Sequence, residues 1–183
     1  MRNKAYSIAT YSFSINERIL IDANVWYYLF PPPSDSQKLI SKSYSRGFIE
    51  MIRACSVPVL DPLILSEYLN RYCRFEWQAN FCSKYPIYKK FRNSSDFNPI
   101  VSSAAVFASD ILKKCELHSI PSNQLNLHTA IADFKTGEID FNDAVLADIC
   151  KQQNIKLLTN DGDFQKGGIE VITSNPQLLR SCP

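Results

Sequence analysis

Short apolar runs alternate along this chain with longer segments of helical pattern. The runs RILID (residues 18–22) and IKLLT (residues 155–159) are apolar on both faces of the pleat over part of their length. Parallel strands that helices cover on both sides have this composition, whereas a strand with one solvated face alternates apolar and polar residues. The pattern predicts an α/β fold with three layers, α/β/α, around a central and mainly parallel sheet.

Helix and strand signals divide the chain into predicted elements. Three consecutive prolines, residues 31–33, end the first predicted helix because proline lacks the amide donor and clashes with the preceding turn. The predicted strands are Arg18–Asp22, Val57–Leu60, Ile155–Thr159 and Glu170–Thr173, with Leu117–Ile120 as a further candidate. The predicted helices are Asn24–Phe30, Gln37–Ala54, Pro62–Phe81, Pro99–Cys115, Ser122–Lys135 and Asn142–Gln153.

Length and composition limit the class of protein. The chain has 183 residues, of which 45% are hydrophobic, and this is enough for a sizeable core and argues against disorder. No repeat, charge block or linker divides it, so we expect a single domain over residues 1–183. The N-terminus lacks the apolar core of a signal peptide, and no apolar run approaches the roughly 20 residues that span a bilayer. We therefore expect a soluble, cytoplasmic protein without a membrane partner.

Cysteine spacing and net charge limit the kinds of functional site that the sequence supports. No two of the six cysteines lie two to four residues apart, so no zinc-ligand pair is visible, and we expect reduced thiols that act as small buried apolar residues. The formal net charge of +2 is too small to indicate a nucleic-acid binder by itself. The charge is nevertheless uneven: residues 1–92 hold 13 basic and 7 acidic residues, and residues 93–183 hold 7 basic and 11 acidic residues.

Four carboxylates follow or flank the predicted strands. Asp22 ends one strand, and Asp161 follows another. Glu67 lies in the helix after the strand that ends at Leu60, and Asp143 lies in the first turn of the helix that leads into IKLLT. Ligands of open parallel sheets bind beyond the carboxyl ends of the strands, so all four carboxylates could meet at one edge.

Two of these acids also have purely structural interpretations at helix starts. Asp22 could cap the helix that begins near Asn24, since short polar side chains satisfy the free amide donors there. Asp143 could be a first-turn acid that the helix dipole favours, with Asp140 or Asn142 as the cap.

The other two acids have structural alternatives as well. Asp161 and Asp163 could be ordinary turn residues in the sequence TNDGDF. Glu67 could pair with Arg71 at four-residue spacing, but an exposed pair of this kind contributes only a few tenths of a kcal/mol. That is a weak reason for a carboxylate to interrupt an otherwise mostly apolar helix face, so Glu67 is the hardest of the four to explain structurally.

The mutual repulsion of clustered carboxylates destabilises the folded protein unless a cation neutralises their charge. Mg²⁺ and Mn²⁺ accept oxygen ligands in octahedral geometry and keep several waters. Because the sequence offers no cluster rich in histidine or cysteine, it predicts one of these two hard divalent ions as the cofactor.

Four motifs resemble a known family in order and spacing. LIDANVWYYL, LILSEYL, FNDAVLADIC and IKLLTNDGDF resemble the four acidic motifs of the PIN-domain ribonucleases, and most closely those of the VapC-type toxins of bacterial toxin–antitoxin pairs. The motifs span residues 18–164. The resemblance implies that Asp22, Glu67, Asp143 and Asp161 are the catalytic and metal-binding acids.

The resemblance also implies roles for neighbouring residues. Asn24 and Thr159 match polar residues that would orient the metal ligands or water. Asp163 lies close to the fourth motif acid, so the choice between Asp161 and Asp163 stays open, although the spacing favours Asp161.

The implied activity is metal-dependent hydrolysis of RNA phosphodiester bonds by an endoribonuclease, and one candidate role is the toxin of a toxin–antitoxin pair. The implied partners are an RNA substrate, with an antitoxin protein and a second copy of the chain as candidates.

Two alternatives to this function stay open. One is a catalytically silent PIN-like module that binds RNA or acts as a scaffold, although the presence of all four acids argues against it. The other is a metal-dependent phosphatase or DNA nuclease that uses the same crevice.

Residues 71–97, here called the aromatic–basic segment, form a helical insertion relative to the compact toxins of the family. The segment's candidate RNA-binding residues are Arg71, Arg74, Lys84, Lys89, Lys90 and Arg92. Its interleaved aromatic residues are Tyr72, Phe75, Trp77, Phe81, Tyr85, Tyr88 and Phe91. Such a mixture can hold phosphates while bases stack on rings, but aromatic residues this dense more often pack helices together with the cations in solvent.

Neither histidine, His118 or His128, lies in an acidic motif, so both are expected to be plain surface or core residues.

Overall fold

The strands of the protein form one wholly parallel sheet. The structure is a computed structural model that describes residues 1–35 and 38–182. The strands are β1 (Lys4–Ser7), β2 (Arg18–Ile21), β3 (Val57–Leu60), β4 (Glu116–Leu117), β5 (Lys156–Leu158) and β6 (Glu170–Thr173). Their order across the sheet is β1-β6-β5-β2-β3-β4, and every paired strand in the described residues is parallel to its neighbour. The predicted α/β fold with a three-layer α/β/α arrangement is confirmed.

Helices connect these strands. They are α1 (Ala23–Leu29), α2 (Lys38–Arg53), α3 (Pro62–Glu76), α4 (Tyr88–Arg92), α5 (Phe97–Lys114), α6 (Leu127–Lys135), α7 (Phe141–Gln153) and α8 (Pro176–Ser181). A π-helical turn, Trp77–Phe81, extends α3, and a short 3₁₀ turn, Ser122–Gln124, precedes α6. No helix in residues 1–35 and 38–182 combines the length and apolar character needed to cross a bilayer.

Three elements were not predicted from the sequence. Strand β1 is a partly polar strand at the edge of the sheet, where β6 is its one paired neighbour in the described residues, so it lacks the apolar run of the central strands. Helices α4 and α8 have five and six residues, too few to show a helical period.

Several predicted boundaries are corrected. The candidate strand Leu117–Ile120 is the two-residue strand β4, shifted towards the N-terminus. The predicted helix Ser122–Lys135 is interrupted, because Asn126 accepts a hydrogen bond from the Thr129 N–H and so caps a separate helix, α6. Residue 37, the predicted start of the second helix, lies outside the described residues.

The centre of the sheet determines where a ligand can bind. Ile19, Leu20 and Ile21 of β2 are fully buried, as expected for a strand covered on both faces. Strand β2 lies between β5 and β3, and the chain leaves it towards β3 while β5 returns much later on the other side. The carboxyl end of β2 is therefore a topological switch point, where open α/β sheets form their ligand crevice.

The aromatic–basic segment has a small core of its own. Phe91 is fully buried, and its ring lies 4.8 Å from that of Phe81 and 5.4 Å from that of Phe97, centroid to centroid. Tyr85 and Tyr88 pack against the same ring. These aromatic residues join α4, the π-helical turn and the start of α5, as the packing interpretation predicted.

All six cysteines are free, but they are not all buried. Cys73, Cys150 and Cys182 are buried, whereas Cys55 and Cys82 are exposed. The prediction that the cysteines are small buried residues is therefore wrong for these last two.

Candidate active site

Asp22 lies directly after β2 and is held in a polar network. It occupies the N-cap position of α1, yet its side chain makes no capping hydrogen bond, so the interpretation of Asp22 as a helix cap is wrong. Instead, Oδ2 of Asp22 accepts hydrogen bonds from Nδ2 of Asn24 at 2.6 Å and from the hydroxyl of Thr159 at 2.5 Å. All three residues are buried, so the carboxylate is fixed by partners and not by water.

The loop after β5 is tied to the same network. The hydroxyl of Thr159 also accepts the backbone N–H of Asp161 at 2.9 Å, which links Asp22 to the fourth acid through one oxygen. Oδ1 of Asn24 accepts the backbone N–H of Asn160 at 3.0 Å. Asn24 and Thr159 thus hold the ends of β2 and β5 together, in the positions where residues that orient the acids were predicted.

Further residues that the sequence did not indicate support this loop. The Tyr44 hydroxyl, which is buried, donates to Oδ1 of Asn160 at 2.9 Å, and Nδ2 of Asn175 donates to the carbonyl oxygen of Asn160 at 2.7 Å. Tyr44 lies on α2, more than 110 positions from Asn160 in the chain, so only the fold brings the two residues together.

Three of the four predicted acids line one cavity. The cavity has a volume of about 360 Å³ and is lined by Glu67, Phe134, Asp140, Phe141, Asn142, Asp143 and Asp161. Asp22 is not part of this lining and is only 4% exposed, so it lies deeper in the fold. Asp163 is exposed and also outside the lining, and its backbone N–H donates to Oδ1 of Asp161 at 3.0 Å. The arrangement places Asp161 at the cavity and leaves Asp163 on the surface.

Helix α3, which carries Glu67, has a capped N-terminus. Asp61 accepts the Leu63 N–H at 2.6 Å as the cap, and Pro62 occupies the first turn. The other carboxylate oxygen of Asp61 accepts a hydrogen bond from Nε2 of His118 at 2.6 Å, because Nδ1 of His118 accepts the N–H of Ile120. This buried pair joins β4 to the start of α3, a role for His118 that the sequence did not reveal.

Arg71 does not form the predicted structural pair with Glu67. In the part of the chain that the structure describes, the two side chains make no salt bridge, and the Arg71 guanidinium lies 4.7 Å from the centre of the Tyr27 ring. Glu67 is exposed at the cavity, free to meet a cation or a substrate.

Asp143 lies in the first turn of α7, and Asp140 adds a further acid. Asp140 occupies the N-cap position, but its side chain makes no capping hydrogen bond, so the interpretation of Asp140 as the cap is wrong. The side chain instead contributes to the cavity lining. The signal in the sequence was the three-residue spacing between Asp140 and Asp143, which places them one turn apart.

Burial and mutual repulsion make the acids hard to ionise. The pKa of Asp22 is raised from 3.8 to about 6: burial is the largest cause, the Thr159 hydroxyl opposes the rise, and the charges of Glu67 and Asp161 contribute to it. The pKa of Asp143 is raised to about 8, mainly by burial and also by the charges of Asp22, Asp161, Glu67 and Asp140. Loss of water around the Glu67 carboxyl group raises its pKa as well, although Arg71 opposes this.

These acids fit a hydrated divalent cation. Among residues 1–35 and 38–182, no three histidine, cysteine, aspartate or glutamate side chains converge closely enough to form a complete metal cage. Mg²⁺ does not need one, since it keeps several waters and is commonly held by one or two carboxylates. The donor set consists of the carboxylate oxygens of Glu67, Asp143 and Asp161, which line one cavity, and Mg²⁺ takes oxygen ligands of this kind, so the residues present suit such an ion.

The candidate RNA-binding cations have different surroundings. Lys84 forms a salt bridge with Asp96 at 2.6 Å, and the Arg74 guanidinium lies 4.7 Å from the centre of the Tyr88 ring. Lys89, Lys90 and Arg92 are exposed. Among the described residues, Lys84 thus has an acidic partner, whereas Lys89, Lys90 and Arg92 form no salt bridge.

Comparisons with known proteins agree with the fold. The family model described as PIN domain matches residues 19–170. No curated protein matches the sequence. The chain is 13% identical to VapBC2 from Rickettsia felis, solved bound to a DNA fragment from their promoter, with a TM-score of 0.51 over 85% of this chain and 98% of that one. It is 15% identical to PAE2754 from Pyrobaculum aerophilum, with a TM-score of 0.47 over 86% of this chain and 91% of that one.

Proposed function

Since this chain belongs to the PIN domain family, we propose that it is a divalent-metal-dependent endoribonuclease that hydrolyses RNA phosphodiester bonds. The family resemblance of the four acidic motifs is confirmed by the match over residues 19–170. PIN domains are generally nucleases and typically use divalent metal ions. The choice of RNA as the substrate and of Mg²⁺ or Mn²⁺ as the ion is the proposal.

The observation that carries the proposal is that three carboxylates line one cavity beside the switch point of the sheet. Glu67, Asp143 and Asp161 line this cavity and would hold the ion together with waters. Asp22 lies beneath it, linked to Asp161 through the Thr159 hydroxyl. A bound divalent ion lowers the pKa of a coordinated water and neutralises charge on the phosphoryl oxygens. No histidine lies among the described residues that line the cavity, consistent with a base supplied in that way.

Phe134 supports a nucleic acid as the substrate. It lies on α6, lines the acidic cavity and is 52% exposed, so its ring faces solvent beside the carboxylates. An aromatic ring in this position can stack on an unpaired base, an interaction of about 1–3 kcal/mol in single-strand binders. We therefore propose single-stranded RNA as the substrate.

The test is cleavage of labelled single-stranded RNA and of DNA with the same sequence, with Mg²⁺, Mn²⁺ or a chelator. We expect RNA cleavage that needs the ion and disappears in Asp143→Asn. Asp110→Asn on the surface of α5, where Asp110 pairs with Lys113, removes an equal charge and should leave cleavage unchanged.

Other outcomes would identify the alternatives. Cleavage of DNA alone, or release of only a terminal phosphate, would assign the cavity to a DNA nuclease or a phosphatase. Binding of RNA without cleavage under any metal condition would identify a silent module.

A role as the toxin of a toxin–antitoxin pair is the finer part of this proposal. It rests on the similarity in fold to VapBC2 and on the family resemblance of the motifs. A small upstream reading frame that overlaps the gene, and whose product copurifies with this chain and stops RNA cleavage, would support an antitoxin partner. Light scattering of the chain with and without that product would test whether the chain forms the candidate homodimer.

A further inference from the structure

A second cavity, rich in positive charge, lies in the aromatic–basic segment. It has a volume of about 490 Å³ and is lined by Asn70, Arg74, Ile87, Tyr88, Lys89, Arg92 and Asn93, here called the basic groove. Among the described residues, none that line the groove is acidic, and its three cations are all exposed. The cavity is large enough for a nucleotide unit, since small-ligand sites occupy about 300–1,000 Å³.

Within the described part of the chain, the three cations of the basic groove have no acidic partner. In residues 1–35 and 38–182, Arg74 contacts the Tyr88 ring, and neither Lys89 nor Arg92 forms a salt bridge. Lys84 differs, because Asp96 neutralises it at 2.6 Å and it does not line the groove. Three like charges around one cavity repel one another, so an anion in the groove would lower the electrostatic free energy.

Helix α3 relates the basic groove to the acidic cavity. Glu67 lines the cavity and Arg74 lines the groove, and both lie on α3. Their seven-residue separation corresponds to about two helical turns, so the two side chains leave α3 in nearly the same direction about 10.5 Å apart along its axis. A stacked nucleic-acid strand rises about 3.4 Å per phosphate, so this distance corresponds to about three nucleotides.

We propose that the basic groove binds the phosphate backbone of the RNA strand about three nucleotides from the bond that is cleaved at the acidic cavity. This inference rests on the proposed ribonuclease function. Arg74, Lys89 and Arg92 contact the phosphates, while Asn93 offers its amide group to the same backbone. The role is positional: the groove selects strands long enough to reach it and sets the register of cleavage.

The first test measures binding to labelled single-stranded RNA at several salt concentrations. The proteins are the inactive Asp22→Asn variant, the same variant with Arg74→Gln, Lys89→Gln and Arg92→Gln, and a matched control with Arg53→Gln, Lys113→Gln and Arg180→Gln, all at exposed positions outside the aromatic–basic segment. Each lost phosphate contact lowers the slope of log K against log salt by about 0.7 for a single strand, so the groove variant should lose about two. The control removes equal charge outside the groove and should keep the slope.

The second test measures cleavage of a dinucleotide and of a dodecamer by otherwise wild-type protein with and without the groove substitutions. We expect the groove variant to cleave the dinucleotide like wild type and to lose kcat/KM only on the dodecamer, since only the longer strand reaches the groove. Thermal unfolding checks that all variants are folded.

Specific outcomes would overturn the inference. If the groove variant and its parent have equal salt slopes, or if the groove variant loses kcat/KM equally on the dinucleotide and the dodecamer, RNA does not bind in the groove. Unchanged RNA binding together with loss of a copurifying acidic protein would assign the groove to that protein. A wild-type protein that cleaves neither substrate contradicts the proposed function instead, while the salt slopes still test the groove.

Discussion

Replacing Asp22 by asparagine should make the metal-free protein more stable at neutral pH while abolishing its activity. The amide is nearly isosteric with the carboxylate, and its oxygen can still accept the hydrogen bonds from Asn24 and Thr159. What is lost is the buried negative charge, which repels Glu67 and Asp161. That same charge is what a divalent ion requires.

The expected magnitude follows from the raised pKa of Asp22. The carboxyl group has a pKa of 3.8 ordinarily and of about 6 in the folded protein, where it is only 4% exposed. Below pH 3.8 it is protonated in both states and contributes nothing to the pH dependence. Between pH 3.8 and about 6 the unfolded chain loses its proton first, so the folded state loses stability as the pH rises. At about 1.4 kcal/mol per pKa unit the loss reaches about 3 kcal/mol.

Urea denaturation of wild type and Asp22→Asn in chelator, from pH 4 to pH 8, measures this effect. The variant should gain free energy of unfolding relative to wild type as the pH rises, by up to about 3 kcal/mol. Excess Mn²⁺ should cancel most of this difference, because an ion at 100 times its dissociation constant stabilises wild type by about 2.7 kcal/mol. Asp110→Asn, on the surface of α5, should show no such pH dependence.

Two results would refute this reasoning. A stability difference between Asp22→Asn and wild type that stays constant from pH 4 to pH 8 would mean that Asp22 is ionised at no cost in the folded protein. Full RNA cleavage by the variant would remove Asp22 from the mechanism.

Three further variants test other parts of the site and fold. The double variant Glu67→Gln/Asp143→Asn should lose the roughly 2.7 kcal/mol of stabilisation by excess Mn²⁺, measured by thermal unfolding, because two acids of the cavity are neutralised. Thr159→Val should lower the free energy of unfolding by about 1–3 kcal/mol in urea, because the Asp161 N–H loses its buried acceptor and Asp22 loses a donor. Phe91→Ala should cost about 3–5 kcal/mol by the same measurement, since Phe91 is the buried centre of the aromatic–basic segment.

Each of these predictions has a control and a contrary result. Equal Mn²⁺ stabilisation of wild type and the double variant would place the ion elsewhere. Thr129→Val, at an exposed position, should be nearly neutral, and a Thr159→Val variant as stable as wild type would show that the hydroxyl is dispensable. Val106→Ala, where the valine is 59% exposed, should also be nearly neutral, and an equally small effect of Phe91→Ala would mean that the segment contributes little to folding.

The sequence by itself determined the central strands and the placement of two acids beside their ends. Strands such as β2 and β5 are short runs that are buried on both faces, so their hydrophobic pattern is local and can be read without the fold. The positions of Asp22, directly after β2, and of Asp161, in the loop after β5, were predictable for the same reason, because the carboxyl ends of parallel strands lie at one edge of the sheet.

Tertiary structure alone decided which side chains complete the site. Tyr44 meets Asn160, and His118 meets Asp61, across separations in the chain that no local pattern encodes. The surroundings of the cations were also unpredictable. Nothing in the local sequence distinguishes Lys84 from Lys89, but in the folded protein Asp96 forms a salt bridge with Lys84, whereas Lys89 lines the basic groove. Hydrophobic periodicity depends only on residues that are close in the sequence, so it can be read before the chain folds. Hydrogen bonds and ion pairs between distant side chains, and the shapes of cavities, depend on how distant segments pack, so they form only once the chain has folded.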